Sequence, residues 1–225
     1  MDRKDLLIFD MDGVLVDVTE SYRAAIVETV KHFTDAVVTD AHIQDLKNEG
    51  GWNDDWLLSR HLILQAGHQV SHEDTVAYFQ SVFHEGGLML RERWIAQPGL
   101  LETLAQQNNL SVFTGRLRWE ANITLDRFCP GLFQQVVGVD DLENPKPAPD
   151  GILRLSLDIP HTRLFYIGDS IDDALSAKAA GVPFIGIAAP ANPRYRELAK
   201  ILAEQQAIAV IDDINQLPQV IAHAA

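Results

Sequence analysis

Cysteine is almost missing from this sequence: Cys129 is the only one among 225 residues. No internal disulfide can form, and a reducing cytoplasmic setting is the expectation. Long apolar runs are missing too, the longest falling well short of the roughly 18 residues that a membrane-spanning helix needs. No membrane partner is therefore expected. At the N-terminus, the apolar run of MDRKDLLIFDMDG is short and broken at once by aspartate, which is not the pattern of a signal peptide. Cations are scarce as well. Eighteen Lys and Arg face 32 Asp and Glu, a formal net charge of −14, which argues against non-specific binding to nucleic acid or anionic membranes.

What is present is an ordinary globular composition, 47% hydrophobic and 22% charged, without the signature of disorder. Segment 5–9, Asp-Leu-Leu-Ile-Phe, reads as a buried strand that stops at the turn Asp10-Met11-Asp12-Gly13. Similar runs recur at 110–114, 135–138, 164–168 and 183–187, each bounded by Gly, Asp or Pro. Between most of them, 100–108, 119–128, 150–157 and 172–180 carry apolar residues at three- and four-residue spacing. Strands alternating with helices predict a doubly wound α/β fold, a parallel sheet covered on both faces. Residues 18–92 break the alternation: 21–33, 41–47, 54–65 and 71–83 read as helices with no strand among them. The expected organisation is a Rossmann-like core from 1–17 and 93–225, with an all-helical domain inserted at 18–92. After Pro190 a helix, a short strand and a last helix complete the core.

Ligands of doubly wound sheets sit at the carboxyl ends of the strands, near the point where strand order reverses. Four polar groups fall at such ends or just beyond. Asp10 and Asp12 follow the first strand, Thr114 ends the second, Lys146 follows the third, and Asp169 with Asp173 follows the fourth. Taken singly, each has an ordinary explanation as a solvated turn, a helix cap or a charge at a helix N-terminus. Their convergence on one edge of one sheet is what points to chemistry. Arg116 and Arg118 fall near this edge by sequence and equally suit a helix surface, and the histidines show no metal-ligand spacing.

In order and context these residues resemble the motifs of the haloacid dehalogenase-like superfamily. Phe9-Asp10-Met11-Asp12-Gly13-Val14-Leu15 is similar to its first motif and Val112-Phe113-Thr114-Gly115 to its second. Lys146-Pro147-Ala148-Pro149 resembles the third, as found in the branch with a helical cap after the first strand. Ile167-Gly168-Asp169-Ser170-Ile171-Asp172-Asp173 resembles the fourth. The resemblance implies a phosphatase acting on a small phosphorylated metabolite with Mg²⁺ as cofactor. Asp10 would attack phosphorus and form an aspartyl-phosphate. The metal ligands implied are the carboxylates of Asp10 and Asp169 and the backbone carbonyl of Asp12, with Asp173 holding a metal-bound water or orienting the other ligands. Asp12 would protonate the leaving oxygen and then activate water. Thr114, Gly115 and Lys146 would hold the phosphate, Lys146 also balancing the charge of Asp10.

Family members that dehalogenate or cleave phosphonates lack an aspartate two residues after the nucleophile, so Asp12 favours phosphate esters. A phosphomutase, and a non-enzymatic phosphate-binding module, stand as alternatives, the latter opposed by the intact set of motif residues. In the inserted block, Lys47-Asn48-Glu49-Gly50-Gly51-Trp52-Asn53-Asp54-Asp55-Trp56 matches the family's substrate-contacting cap loop. Lys47, Trp52 and Asn53 are the specificity candidates. Equally, Trp52 and Trp56 could pack within the cap and Asn53 cap the following helix.

Overall fold

The computed structural model describes residues 4–223. The chain divides into two compact units, Met1–Val16 with Trp94–Ala225, and Asp17–Arg93. In chain order, β1 (Asp5–Phe9) is followed by a short strand β2 (Val16–Asp17) and by helices α1 (Tyr22–Phe33), α2 (Asp40–Glu49), α3 (Asp55–Gln65) and α4 (His72–Gln80). A second short strand, β3 (Arg93–Trp94), pairs with β2 where the chain passes between units. Then come α5 (Leu100–Gln107), β4 (Asn108–Phe113), α6 (Arg118–Phe128), β5 (Gln135–Val137), α7 (Asp150–Asp158), β6 (Leu164–Gly168) and α8 (Ile171–Ala180). The chain finishes with β7 (Phe184–Ile187), α9 (Tyr195–Glu204), β8 (Ala209–Ile211) and α10 (Leu217–His223).

The larger unit is a six-stranded sheet in the order β5-β4-β1-β6-β7-β8, parallel throughout. Its central strand explains itself. Leu6, Leu7, Ile8 and Phe9 are all fully buried, as an unbroken apolar run must be when helices cover both faces of a parallel sheet. Phe9 sits in register with Val112 of β4 on one side and Ile167 of β6 on the other. The chain builds outward from β1 to β4 and β5, then returns to lay β6 against the other side of β1. Strand order therefore reverses at β1, and the carboxyl ends of β4, β1 and β6 frame the crevice where such sheets bind ligands.

The smaller unit is helical around its own core, which includes Tyr22, Ile26, Ile43, Leu58, Leu62, Phe79 and Phe83. One element departs from the periodicity. The expected helix 71–83 is α4 followed by a π-helical turn, Ser81–Glu85, in which the Gly86 N–H reaches back five residues to the Ser81 carbonyl at 2.8 Å. Among the described residues no helix is long and apolar enough to cross a membrane.

Candidate active site

β1 ends at Phe9, and the next residue is held to β6 by a 2.8 Å bond from the Asp10 N–H to the Ile167 carbonyl. The chain then turns sharply: the Leu15 and Val16 N–H groups both return to the Met11 carbonyl. Asp12 lies inside this turn, bridged to Val16. Gly13 makes the turn possible, with φ of +77°, and a Cβ there would lie 1.9 Å from Asp169 Oδ2. Only a glycine lets the Asp169 carboxylate approach the first loop so closely.

Asp10 is 6% exposed, and its Oδ1 accepts a 2.7 Å bond from Lys146 Nζ. Lys146 is equally buried and also pairs with Asp173 Oδ1 at 2.8 Å. The lysine loop is fixed to α8 by Ser176 Oγ, which donates to the Ala148 carbonyl at 2.7 Å. Asp173 has both oxygens engaged. Its Oδ1 also accepts from the Tyr166 hydroxyl at 2.6 Å. Its Oδ2 accepts from the N–H groups of Asp169 and Ser170 and from Ser170 Oγ. Gly168 admits this carboxylate, since a Cβ there would lie 2.7 Å from Asp173 Oδ2.

The electrostatics follow from two buried acids sharing one base. Burial pushes Asp10 up to about 7, with Asp173 and Asp12 adding to the rise and Lys146 opposing it. Burial also raises Asp173, but Lys146, Ser170 and Tyr166 outweigh it and hold the carboxyl below its usual range. Burial disfavours the charged form of Lys146, yet Asp10 and Asp173 more than compensate and raise it. Tyr166 is driven well above its ordinary value, by burial first and then by Asp173 and Asp10; it stays a neutral donor.

Asp10, Asp169 and Asp173 each offer an oxygen, and these lie within 4.8 Å of one another. An all-oxygen set of hard donors around an under-compensated buried carboxylate fits a hard divalent cation. Thr114 stands at the end of β4, 1% exposed, its N–H bonded to the Val137 carbonyl at 3.0 Å. Its Oγ1 accepts from the Arg116 N–H at 3.1 Å, which leaves the hydroxyl proton available to an incoming acceptor. Gly115, the next residue, is half-buried.

At this edge the sequence leaves Arg116 open between the site and a helix surface, and it passes over Tyr166. Arg116, 3% exposed, does not lie on a helix surface but grips Asp12. Tyr166 interrupts an apolar strand and reads in the sequence only as part of that run. Its signal was there, since a tyrosine buried in a parallel strand needs a partner for its hydroxyl. In the helical unit, Lys47 pairs with Asp55 at 2.7 Å and also reaches the Trp52 carbonyl. Trp52 and Trp56 are half-buried against that unit's core, and the Trp52 ring lies 4.4 Å from that of His61. Asn53 is half-buried. The helix cap at this point comes instead from Asp54, whose side chain accepts from the N–H groups of Trp56 and Leu57.

Fold and motif residues together define a class, and comparison with known proteins gives it a name. The haloacid dehalogenase-like hydrolase family matches residues 7–187, and this chain belongs to it. An imidazoleglycerol-phosphate dehydratase of Phytophthora nicotianae is 31% identical over 224 residues, covering 94% of this chain but 48% of that protein. The chain thus spans about half the length of that relative. A phosphoglycolate phosphatase of Pseudomonas fluorescens (strain Pf0-1) is 27% identical over 94% of this chain and 78% of its own length. The fold matches a solved haloacid dehalogenase-like protein of Agrobacterium tumefaciens at a TM-score of 0.77, with 19% identity and coverage of 98% and 99% of the two chains.

Proposed function

We propose that this chain is a magnesium-dependent phosphatase that hydrolyses a small phosphate monoester through an aspartyl-phosphate on Asp10. The observation that carries the reading is the buried Asp10 at the carboxyl end of the central strand, with Lys146 bonded to it and Asp169 and Thr114 on the flanking strand ends. Asp10 attacks phosphorus through one carboxylate oxygen. The bond from phosphorus to the alcohol oxygen breaks, and that oxygen keeps the electron pair and takes a proton from Asp12. Asp12, now a carboxylate, accepts a proton from water as the water oxygen attacks the same phosphorus. The Asp10–phosphorus bond then breaks, and its pair returns to the carboxylate.

Mg²⁺, when bound, supplies the positive charge that lets a carboxylate meet a phosphate dianion. The carboxylates of Asp10 and Asp169 and the backbone carbonyl of Asp12 would hold it. Asp173, with both oxygens occupied, suits an orienting role through Lys146 and the start of α8. Thr114 donates its hydroxyl to a phosphoryl oxygen beside Gly115, and Lys146 offsets charge on the phosphate and Asp10. We read the unit Asp17–Arg93 as a cap that selects the substrate. Because Lys47 is already paired with Asp55, Trp52 and Asn53 are the stronger candidates for that selection. A reducing cytoplasmic setting suits the single Cys129, whose thiol burial, with Glu102 and Asp126, pushes up to about 12.

The test is inorganic phosphate release from a metabolite panel with and without EDTA. The panel includes 2-phosphoglycolate, after the Pseudomonas relative, and imidazole-bearing phosphate monoesters, after the Phytophthora one. Release should need Mg²⁺ and disappear in Asp10→Asn. Full turnover in chelator, or an isomerised phosphate ester in place of inorganic phosphate, would overturn the reading.

A further inference from the structure

Asp12 carries both proton transfers in the proposed reaction, yet its own loop does little to fix its carboxylate, whose side chain is 28% exposed. What fixes it comes from 104 residues away. Arg116 Nε donates to both carboxylate oxygens, at 2.9 and 3.1 Å, and Nη2 donates to Oδ1 as well. The remaining nitrogen, Nη1, donates to Thr124 Oγ1 on α6 at 3.1 Å. The backbone at Arg116 is also tied down, its N–H to Thr114 Oγ1 and its carbonyl accepting from the Val139 N–H at 2.9 Å. A buried guanidinium held at its root by the segments just past β4 and β5, and at its tip by α6, has little freedom. The fork it presents to Asp12 is planar and two-pronged, a geometry lysine cannot supply.

We infer that Arg116 is the positioning residue for Asp12, fixing the direction in which that carboxylate delivers and collects its proton. The inference rests on the acid–base role proposed for Asp12. Its physical content is orientation: a donor and acceptor of protons works only within hydrogen-bond reach of the leaving oxygen, and misplacement of about 1 Å can cost roughly 100-fold. The same loop thus carries two functions, Thr114 for the phosphoryl group and Arg116 for the group that serves the leaving oxygen. In the first half-reaction Arg116 makes no contribution that an activated leaving group requires, because such a group departs without a proton; the water step of the second half is common to every ester.

The test compares the single-turnover rate of alcohol release, which reports phosphoryl transfer to Asp10 alone, from an alkyl phosphate and from p-nitrophenyl phosphate in four variants: Asp12→Asn, Arg116→Met, Arg116→Lys and Thr124→Val. Arg116→Met should lower that rate on the alkyl ester by roughly 10- to 100-fold more than on p-nitrophenyl phosphate, while steady-state turnover of both esters also falls through the shared water step. Asp12→Asn should show the same selectivity, and Arg116→Lys should recover part of the loss. Thr124→Val, which removes the hydroxyl that Nη1 bonds, should show a weaker form of the pattern and stands in if Arg116→Met does not fold. An equal loss of the single-turnover rate on both esters in Arg116→Met or Thr124→Val, while Asp12→Asn stays selective, would reduce Arg116 to a structural part and overturn the inference. Lack of selectivity in Asp12→Asn itself would overturn the acid–base reading and the inference with it.

Discussion

Asp10 and Asp173 compete for the ammonium group of Lys146, and Asp173 has the better hold. It adds hydrogen bonds from Tyr166 and Ser170 that have no counterpart at Asp10 among the described residues, so the cost of burial falls on Asp10. Its carboxyl rises from 3.8 to about 7 in the metal-free protein. Between those values the folded chain keeps a proton that the unfolded chain has released. Stability therefore falls as pH rises through that window and stays lowered above it. Replacing the carboxylate by an amide removes the penalty. Metal-free Asp10→Asn should be more stable than the wild type at pH 8 by on the order of 1–4 kcal/mol, and nearly equal to it at pH 4. Denaturant melts in EDTA at the two pH values measure this. Added Mg²⁺ should then stabilise the wild type far more than the variant, because the ion binds only the folded site. A variant less stable than wild type at pH 8 would mean that Lys146 contributes more to Asp10 than burial takes away.

Helix α8 is where local sequence and chemistry coincide. Ser170 and Asp173 form a reciprocal cap: Ser170 Oγ accepts from the Asp173 N–H at 3.1 Å, and Asp173 Oδ2 accepts from the Ser170 N–H at 3.1 Å. The carboxylate that starts the helix is the one that anchors Lys146, so a helix-capping fault becomes a fault in the site. Ser170→Ala should cost about 1 kcal/mol of stability, roughly 2–4 °C in Tm for a chain of this size. It should also lower kcat, whereas Ser71→Ala at the cap of α4 should cost similar stability and leave kcat intact. Equal activity in both would separate the α8 cap from the site. This contrast also marks what was legible beforehand. Apolar runs and three- to four-residue spacing gave the strands at 5–9 and 164–168 and the helices of both units, because burial imposes those periods. Motif residues at the strand ends were equally readable. The Lys146–Asp10 pair, 136 residues apart, is implied only by the family resemblance, and the Arg116–Asp12 pair, 104 apart, is not implied at all, because nothing local records such partners. The π-helical turn at Ser81–Glu85 hides for another reason: one extra residue per turn hardly disturbs an apolar stripe.

At the scale of the whole molecule, a formal charge of −14 surrounds a site proposed to take dianions. The two facts are reconciled by distance. Lys146 is 1% exposed in its side chain and lies against Asp10 and Asp173, so its effect on a docked phosphate is short-ranged and poorly screened by salt. The excess acid acts from the surface, where screening is efficient: the Debye length shrinks from about 30 Å at 0.01 M salt to about 8 Å at 0.15 M. Approach of a phosphate ester should therefore be opposed at low ionic strength and eased as salt is added, while the contacts that bind it change little. With free Mg²⁺ held saturating, kcat/KM for a dianionic ester should rise by about 2- to 10-fold between those salt concentrations, with kcat nearly constant. This is opposite in sign to the behaviour of an enzyme that steers anions through a basic funnel. Steady-state rates in a non-complexing salt such as sodium chloride provide the measurement. A kcat/KM that falls with salt would mean the field at the mouth of the site is positive despite the net charge, and the surface acids would then have no part in substrate capture.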